Sequence, residues 1–437
     1  MCTGTGTNPT ACNAAGHAES ETYDSLGRRA TRAIAIPSDT TYTYTWGYDP
    51  NTGLLSTLTY PTDSYGYALK LAYGYANGIL ASITDTSDSP NVTLWTADAE
   101  NPRGQVTQAT LGNGIVVNRA YDAVTGWLES LTAGESGGST IQNSAYLFDE
   151  MGNLTQRQDN NQGLTENFYY DGDYRVTSGT LNGTQNLAMS YAPNGNIATY
   201  NSNGSGTGTY DYTTAQSGCS YYGNSQPHAV RNINWGTNYV QSLCYDANGN
   251  NSVDMLNGQV AGTISWTSYN QPSVIDNTNG TGTFYYDANH QRWGLDLDTS
   301  EGQSTITYIG GLMEKLVAST GTSFRDYVHA GGSEIVYLHG AGGRAPYYIT
   351  TDNLGSATKI TDPSGNLVAN ESFDAWGIPR GDAWTGSPNP TEQATAEAVT
   401  RRGFTFQEML SQLNPDLEDF NGRLYAGGSF LSPDPTL

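Results

Sequence analysis

Charge is scarce in this chain. Asp, Glu, Lys and Arg make up 14% of its 437 residues, against roughly a quarter in an average globular protein. Basic residues are rarer still: 18 Lys and Arg stand against 42 Asp and Glu, a formal net charge of −24. Nucleic-acid binding needs clustered cations that displace counterions, so that class is excluded, and an anionic membrane surface repels such a chain. The usual helix formers Lys, Glu and Leu are too thinly spread to build surface helices. Histidine is limited to His17, His228, His290, His329 and His339. None falls at a metal-ligand interval and no Cys-x-x-Cys occurs, so no metal and no cofactor is expected. The four cysteines form two close pairs, Cys2 with Cys12 and Cys219 with Cys244. A disulfide within each pair is expected in an oxidising compartment. No run of 18 apolar residues marks a membrane span, and the stretch after Met1 is polar and rich in Gly and Thr, unlike a signal-peptide core.

What the chain does have is 31 Tyr and 52 Gly. Aromatic and β-branched residues between Gly, Asn and Asp turns read as strands and hairpins, which makes the fold class all-β.

Self-similarity runs through the first three hundred positions. Its copies are Tyr23-Asp24 with Gly27 and Arg28, Tyr48-Asp49 with Gly53, and Tyr75 with Asn77 and Gly78. They continue as Tyr121-Asp122 with Gly126, Phe148-Asp149 with Gly152, Tyr170-Asp171 with Arg175, and Tyr191 with Asn194 and Gly195. Tyr245-Asp246 with Gly249, Tyr269-Asn270, and Tyr286-Asp287 with Arg292 close the series. Weaker copies stand at Asn101-Pro102-Arg103-Gly104 and Tyr210-Asp211. In each unit the ring is buried at the end of a strand, the Asp or Asn bonds its own backbone two residues on, and Gly supplies positive φ. One hairpin cannot bury its apolar face alone, so successive units must stack. Asp246, Asn248 and Asn250 mimic the first half of a calcium loop, but the later acidic ligand is missing and a turn is the better reading.

The series resembles the YD repeats of the RHS protein family, which includes bacterial polymorphic toxins, the C components of insecticidal toxin complexes and the teneurins. The resemblance covers residues 23–437. It implies a long antiparallel ribbon of β-hairpins that spirals into a hollow shell or barrel-like wall, closed around a C-terminal effector in the toxin members.

From about Ser304 the pattern changes. Asp352-Asn353-Leu354-Gly355-Ser356 and Phe373-Asp374-Ala375-Trp376-Gly377 are similar to motifs that introduce the RHS-associated core, with Asn353 where the family has His. Residues 381–402, rich in Pro, Ser, Thr and Ala, read as a loop. Asn421-Gly422-Arg423-Leu424-Tyr425 and Ser432-Pro433-Asp434-Pro435 resemble the closing signature, with Phe406, Ala426 and Ser429 departing from it. In toxin relatives this core is an aspartyl autoprotease, whose two carboxylates share a proton. Asp434 matches the first of them. The second lies in a motif not reached before Leu437, so Asp434 is expected to be vestigial and the chain to be no enzyme.

The organisation expected is an N-terminal extension (1–22), a repeat shell (23–303) and a truncated core-like segment (304–437). The function this implies is a secreted or cell-surface bacterial shell that holds or delivers a C-terminal toxin cargo, alone or with a companion shell subunit. Two alternatives stand beside it. One is a recognition module that binds glycans or a partner through exposed aromatics. The other is a carbohydrate-active hydrolase, since 42 acids offer many carboxylate pairs.

Overall fold

The computed structural model describes residues 16–202, 206–214, 219, 227–236 and 239–434. Within them, thirty-one strands from Ala18–Tyr23 to Leu367–Asn370 form one antiparallel sheet. Each strand pairs with the one before it and the one after it in sequence. The sheet is therefore a simple meander, and its first and last strands do not pair with each other. Position 303/304, where the sequence pattern changes, falls inside the strand Gly302–Ile309.

Side chains alternate between the two faces of the ribbon, as the strand period requires. In Leu164–Tyr170, Leu164, Glu166 and Phe168 are buried. In Ile115–Tyr121, Ile115, Val117 and Arg119 are. A meander places the turn after every second strand on the same edge, and all the Asp turns of the repeat fall there.

The ribbon coils back on itself. The hydroxyl of Tyr44 donates to the carbonyl of Ile309 at 2.7 Å, and that of Tyr60 to Tyr327 at 2.7 Å. Further along, Arg119 donates to the Gly332 carbonyl at 2.7 Å and Arg157 to the Phe373 carbonyl at 2.8 Å. Early strands thus rest on strands more than two hundred residues later, and the largest core cluster is shared between them, from Ile34 and Trp95 to Phe324 and Tyr348. Gly331 is required at this seam: its φ is +55°, and a Cβ there would strike the Trp95 ring.

After the sheet the chain folds onto its buried face. Leu410, Leu413, Leu417 and Leu424 pack on Ile275, Leu295 and Ile306, while Trp376 packs with Tyr200 and Trp235. One part of this segment differs from expectation. Residues 390–399 form an α-helix, Pro390–Val399, where a loop was read. Asn389 caps it by accepting from the Thr391 N–H at 3.0 Å, Pro390 occupies its first turn, and Ala396 and Val399 are buried. The segment itself carries three Ala, two Glu and a Gln, all good helix formers, and capping and burial complete the helix.

Candidate functional site

The repeat turns are built alike. In the unit at Tyr170-Asp171, Asp171 Oδ1 accepts from the N–H groups of Asp173 and Arg175, both at 3.0 Å. The N–H of Asp171 donates to the Arg175 carbonyl at 3.0 Å, and Tyr174, at positive φ, donates back to the Asp171 carbonyl at 3.1 Å. The same two side-chain bonds recur at Asp24, Asp149, Asp246, Asp287, Asp352 and Asp374. At Asp49 and Asp122 the loop is one residue longer, and the carboxylate takes the N–H and hydroxyl of Thr52 or Thr125. The carboxylates of Asp24, Asp149 and Asp171 are held below the usual Asp range first by the side chains of Arg28, Asn153 and Arg175 and then by these backbone bonds, and those of Asp49 and Asp122 by the N–H and hydroxyl of Thr52 and Thr125. At the calcium-like segment, Asp246 accepts from Asn248 and Asn250, and both Asn side chains donate to Asn270. It is a hydrogen-bonded turn.

The aromatic before the Asp is half-buried and not buried as expected, because it stands at the sheet edge, with Tyr23 and Tyr75 exposed, and it reaches back one repeat. Tyr48, Tyr121, Tyr170, Tyr245 and Tyr286 donate their hydroxyls to the carbonyls of Arg29, Val106, Leu154, Val230 and Pro272. Tyr23 in the first strand bonds Glu21 instead, and Phe148 has no hydroxyl to give. At two turns an Arg guanidinium bonds the turn Asp and covers the next repeat's ring: Arg28 over Tyr48 at 4.3 Å, Arg175 over Tyr191 at 4.4 Å. Arg292 instead pairs with Glu408 and Asp419 of the closing segment and covers Tyr308 at 4.3 Å.

The core motifs assemble into the closing segment. Tyr425 donates to the Trp376 carbonyl at 2.7 Å, Gly377 lies against Phe404, and Asn421, at φ +59°, donates its N–H to Asp419. Leu354 and Gly355 shape the Asp352 turn, whose Ser356 accepts from the Thr405 N–H at 3.1 Å. Arg423 sits 3.6 Å above Phe430 and pairs with Asp434 at 3.6 Å, both side chains partly exposed. Asp434 is thus matched to the motif arginine next to Gly422. A different group of acids lies deeper. Burial, with Asp416 and Asp374 adding like charge, pushes Glu418 up to about 8. Burial raises Asp416 and Asp374 as well.

Between the part of the ribbon that carries Tyr200, Trp235 and Ile264 and this segment lies a cavity of about 1180 Å³, lined also by Asp374, Asp416 and Phe430 among others. That exceeds the roughly 300–1,000 Å³ of small-molecule pockets. Cys219 and Cys244 are joined by a disulfide with Cα atoms 5.2 Å apart, while Cys2 and Cys12 lie outside the described residues.

Sequence reading missed several features. Asp63 caps a further turn by accepting from the N–H groups of Tyr65 and Tyr67, but it stands three residues after its tyrosine, Tyr60, and escapes a Tyr-Asp search. Ion pairs across the seam were equally out of reach: Glu166 is buried between Arg157 and Arg380, 214 positions away, and their charges hold it down at about 2 despite its burial.

No family model and no curated protein matches this chain. Solved structures do. The TcdB2-TccC3 chain superposes with a TM-score of 0.72 at 16% identity over 95% of this chain, and the form without its hypervariable C-terminal region with 0.67 at 16% identity. Its fold is that of the TcdB2-TccC3 toxin-complex chains. A third structure, TcdB2-TccC3-Cdc42, matches with 0.66 at 16% identity. The present chain spans 22–23% of those chains' length. Among the described residues no helix is long and apolar enough to cross a membrane.

Proposed function

We propose that this chain is part of the wall of a toxin-type shell, and that the shell shelters a polypeptide cargo that follows the closing segment. The observation that carries this reading is the cavity between the coiled ribbon and the closing segment, with Ser429, Phe430 and Leu431 on its lining. The strand Ser429–Phe430 thus borders the cavity close to the last described residue, Asp434. Its toxin-complex neighbours share the coiled architecture, and in one of them a hypervariable C-terminal region is named. The reading extends to a secreted or cell-surface location, to a companion shell subunit, and to a wall that catalyses nothing itself, with Asp434 serving as an ion-pair partner of Arg423.

The test is to append an unfolded segment with a protease site after Leu437 and compare its digestion with that of the free peptide. Protection by at least tenfold supports the shell. Equal digestion rates reject it. The recognition-module alternative draws on exposed rings such as Tyr169 and Tyr174 on the outer surface. Glycan binding lost on Tyr169→Ala, with no protection of the segment, would favour it.

A further inference from the structure

The seam between coils brings together donors that are far apart in sequence. His17 precedes the first strand, Glu19 lies within it, and Asp287 caps the turn between Gly280–Tyr286 and Arg292–Thr299. One ligand atom from each lies within 4.8 Å of the other two. The His17 side chain is 5% exposed and stacks on Trp293, with ring centroids 5.7 Å apart. Yet no hydrogen bond to its ring is found among the described residues. Its Nε2 points at Glu19 Oε1 from 3.8 Å, too far for a hydrogen bond. An imidazole whose side chain is covered by a stacked indole, within ion-pair range of Glu19 but hydrogen-bonded to neither carboxylate, is the arrangement that a shared cation would complete.

We propose that His17, Glu19 and Asp287 bind one zinc ion that staples the first strand to the later coil. Imidazole nitrogen and carboxylate oxygen are both ordinary zinc donors, and three protein ligands leave the fourth tetrahedral position for water. Asp287 binds without losing its turn. Its Oδ1 accepts from Asn289 and Gln291, both at 2.8 Å, and its second oxygen plays no part in those bonds. Glu19 is also held by Arg32, which donates to Oε2 at 2.8 and 3.0 Å and to Oε1 at 2.9 Å, so zinc takes the lone pair of Oε1 that the arginine leaves. A carboxylate has about four lone-pair sites, so the arginine does not exhaust it. The atoms must close by about an ångström to reach zinc–ligand distances near 2.0–2.2 Å. His17 lies next to the end of a strand, where such a shift disturbs little. Histidine spacing could not show this site, because two of its ligands are about 270 residues from the third.

The measurement is calorimetric titration of the dialysed full chain with zinc chloride, beside thermal unfolding with and without the metal. The result expected is one saturable site at micromolar affinity, weakened at least tenfold in both His17→Gln and Asp287→Asn, with a zinc-dependent rise in Tm that His17→Gln abolishes. Asp287→Asn keeps the turn acceptor, and His17→Gln removes the stack on Trp293 at the edge of the core, so the metal-free Tm of each variant is compared with the parent's to separate packing from zinc. No saturable binding, or binding that His17→Gln leaves unchanged, overturns the proposal. Weakening by His17→Gln alone overturns the three-ligand site.

Discussion

Tyr170 explains why the repeat prefers tyrosine to phenylalanine. Its ring is half-buried, and its hydroxyl donates to the Leu154 carbonyl at 2.7 Å, tying each hairpin to the one before. Tyr170→Phe keeps the ring and removes one hydrogen bond, so it should cost about 1 kcal/mol in denaturant unfolding. Phe148 already lacks that bond, so Phe148→Leu should lose packing alone. In the adjoining turn, Asp171→Asn retains an acceptor for Asp173 and Arg175, whereas Asp171→Ala leaves both N–H groups without it. Alanine should therefore be the more destabilising of the two, a ranking that thermal unfolding checks. Asp434→Asn removes a partly exposed pair with Arg423, worth at most about 1 kcal/mol. The purified chain should stay at 46.8 kDa through long incubation with or without that substitution. A fragment that appears in the parent and vanishes in Asp434→Asn would show an autoprotease.

Among the elements, the hairpins were the legible part. Strand, Asp turn and positive-φ residue follow one another within about twenty residues, so local chemistry declares them. The Asp63 turn was lost because Pro61 and Thr62 separate it from its tyrosine, and the helix Pro390–Val399 was lost because the Gly, Ser, Pro and Thr around it hide a short run of helix formers whose burial of Ala396 and Val399 is tertiary. The closing motifs were legible as motifs. Nothing local said that Tyr425 would bond Trp376 or that Asp434 would face Arg423. The long connection between Asp211 and Asn232 is fastened to the sheet by the Cys219–Cys244 disulfide. A loop of that length should contribute roughly 3 kcal/mol, so Cys219→Ser with Cys244→Ser should lower Tm by several degrees. No change in Tm would mean the bridge does not form in solution.

For the whole molecule, stability rests on a seam between coils that no local pattern encodes. At its centre His339 lies buried between Asp63, at 2.6 Å, and Asp326, at 3.2 Å. Phe324 stacks on one side of its ring and Tyr67 meets it edge-on. Carboxylates accept, so one facing each nitrogen favours the protonated ring. Burial alone would lower its pKa, but the bonds and charges of Asp326 and Asp63 outweigh it and raise the value above 6.5. Burial raises Asp326 too. Asp85, bonded to Tyr337, adds negative charge nearby, and Arg344 sits over Tyr67. The folded state therefore holds protons that the unfolded chain releases earlier. This contribution is present in full below pH 6.5 and is lost as pH rises through the folded value. Stability should fall on the alkaline side, and His339→Gln should flatten that fall. An unchanged alkaline limb in His339→Gln would remove the seam from the account.

The most direct measurement is a structure of this chain carrying an appended cargo segment, compared with the chain alone. Added density is expected inside the wall, against Tyr200, Trp235 and Ile264. Density outside the ribbon, with that cavity unchanged, would contradict it.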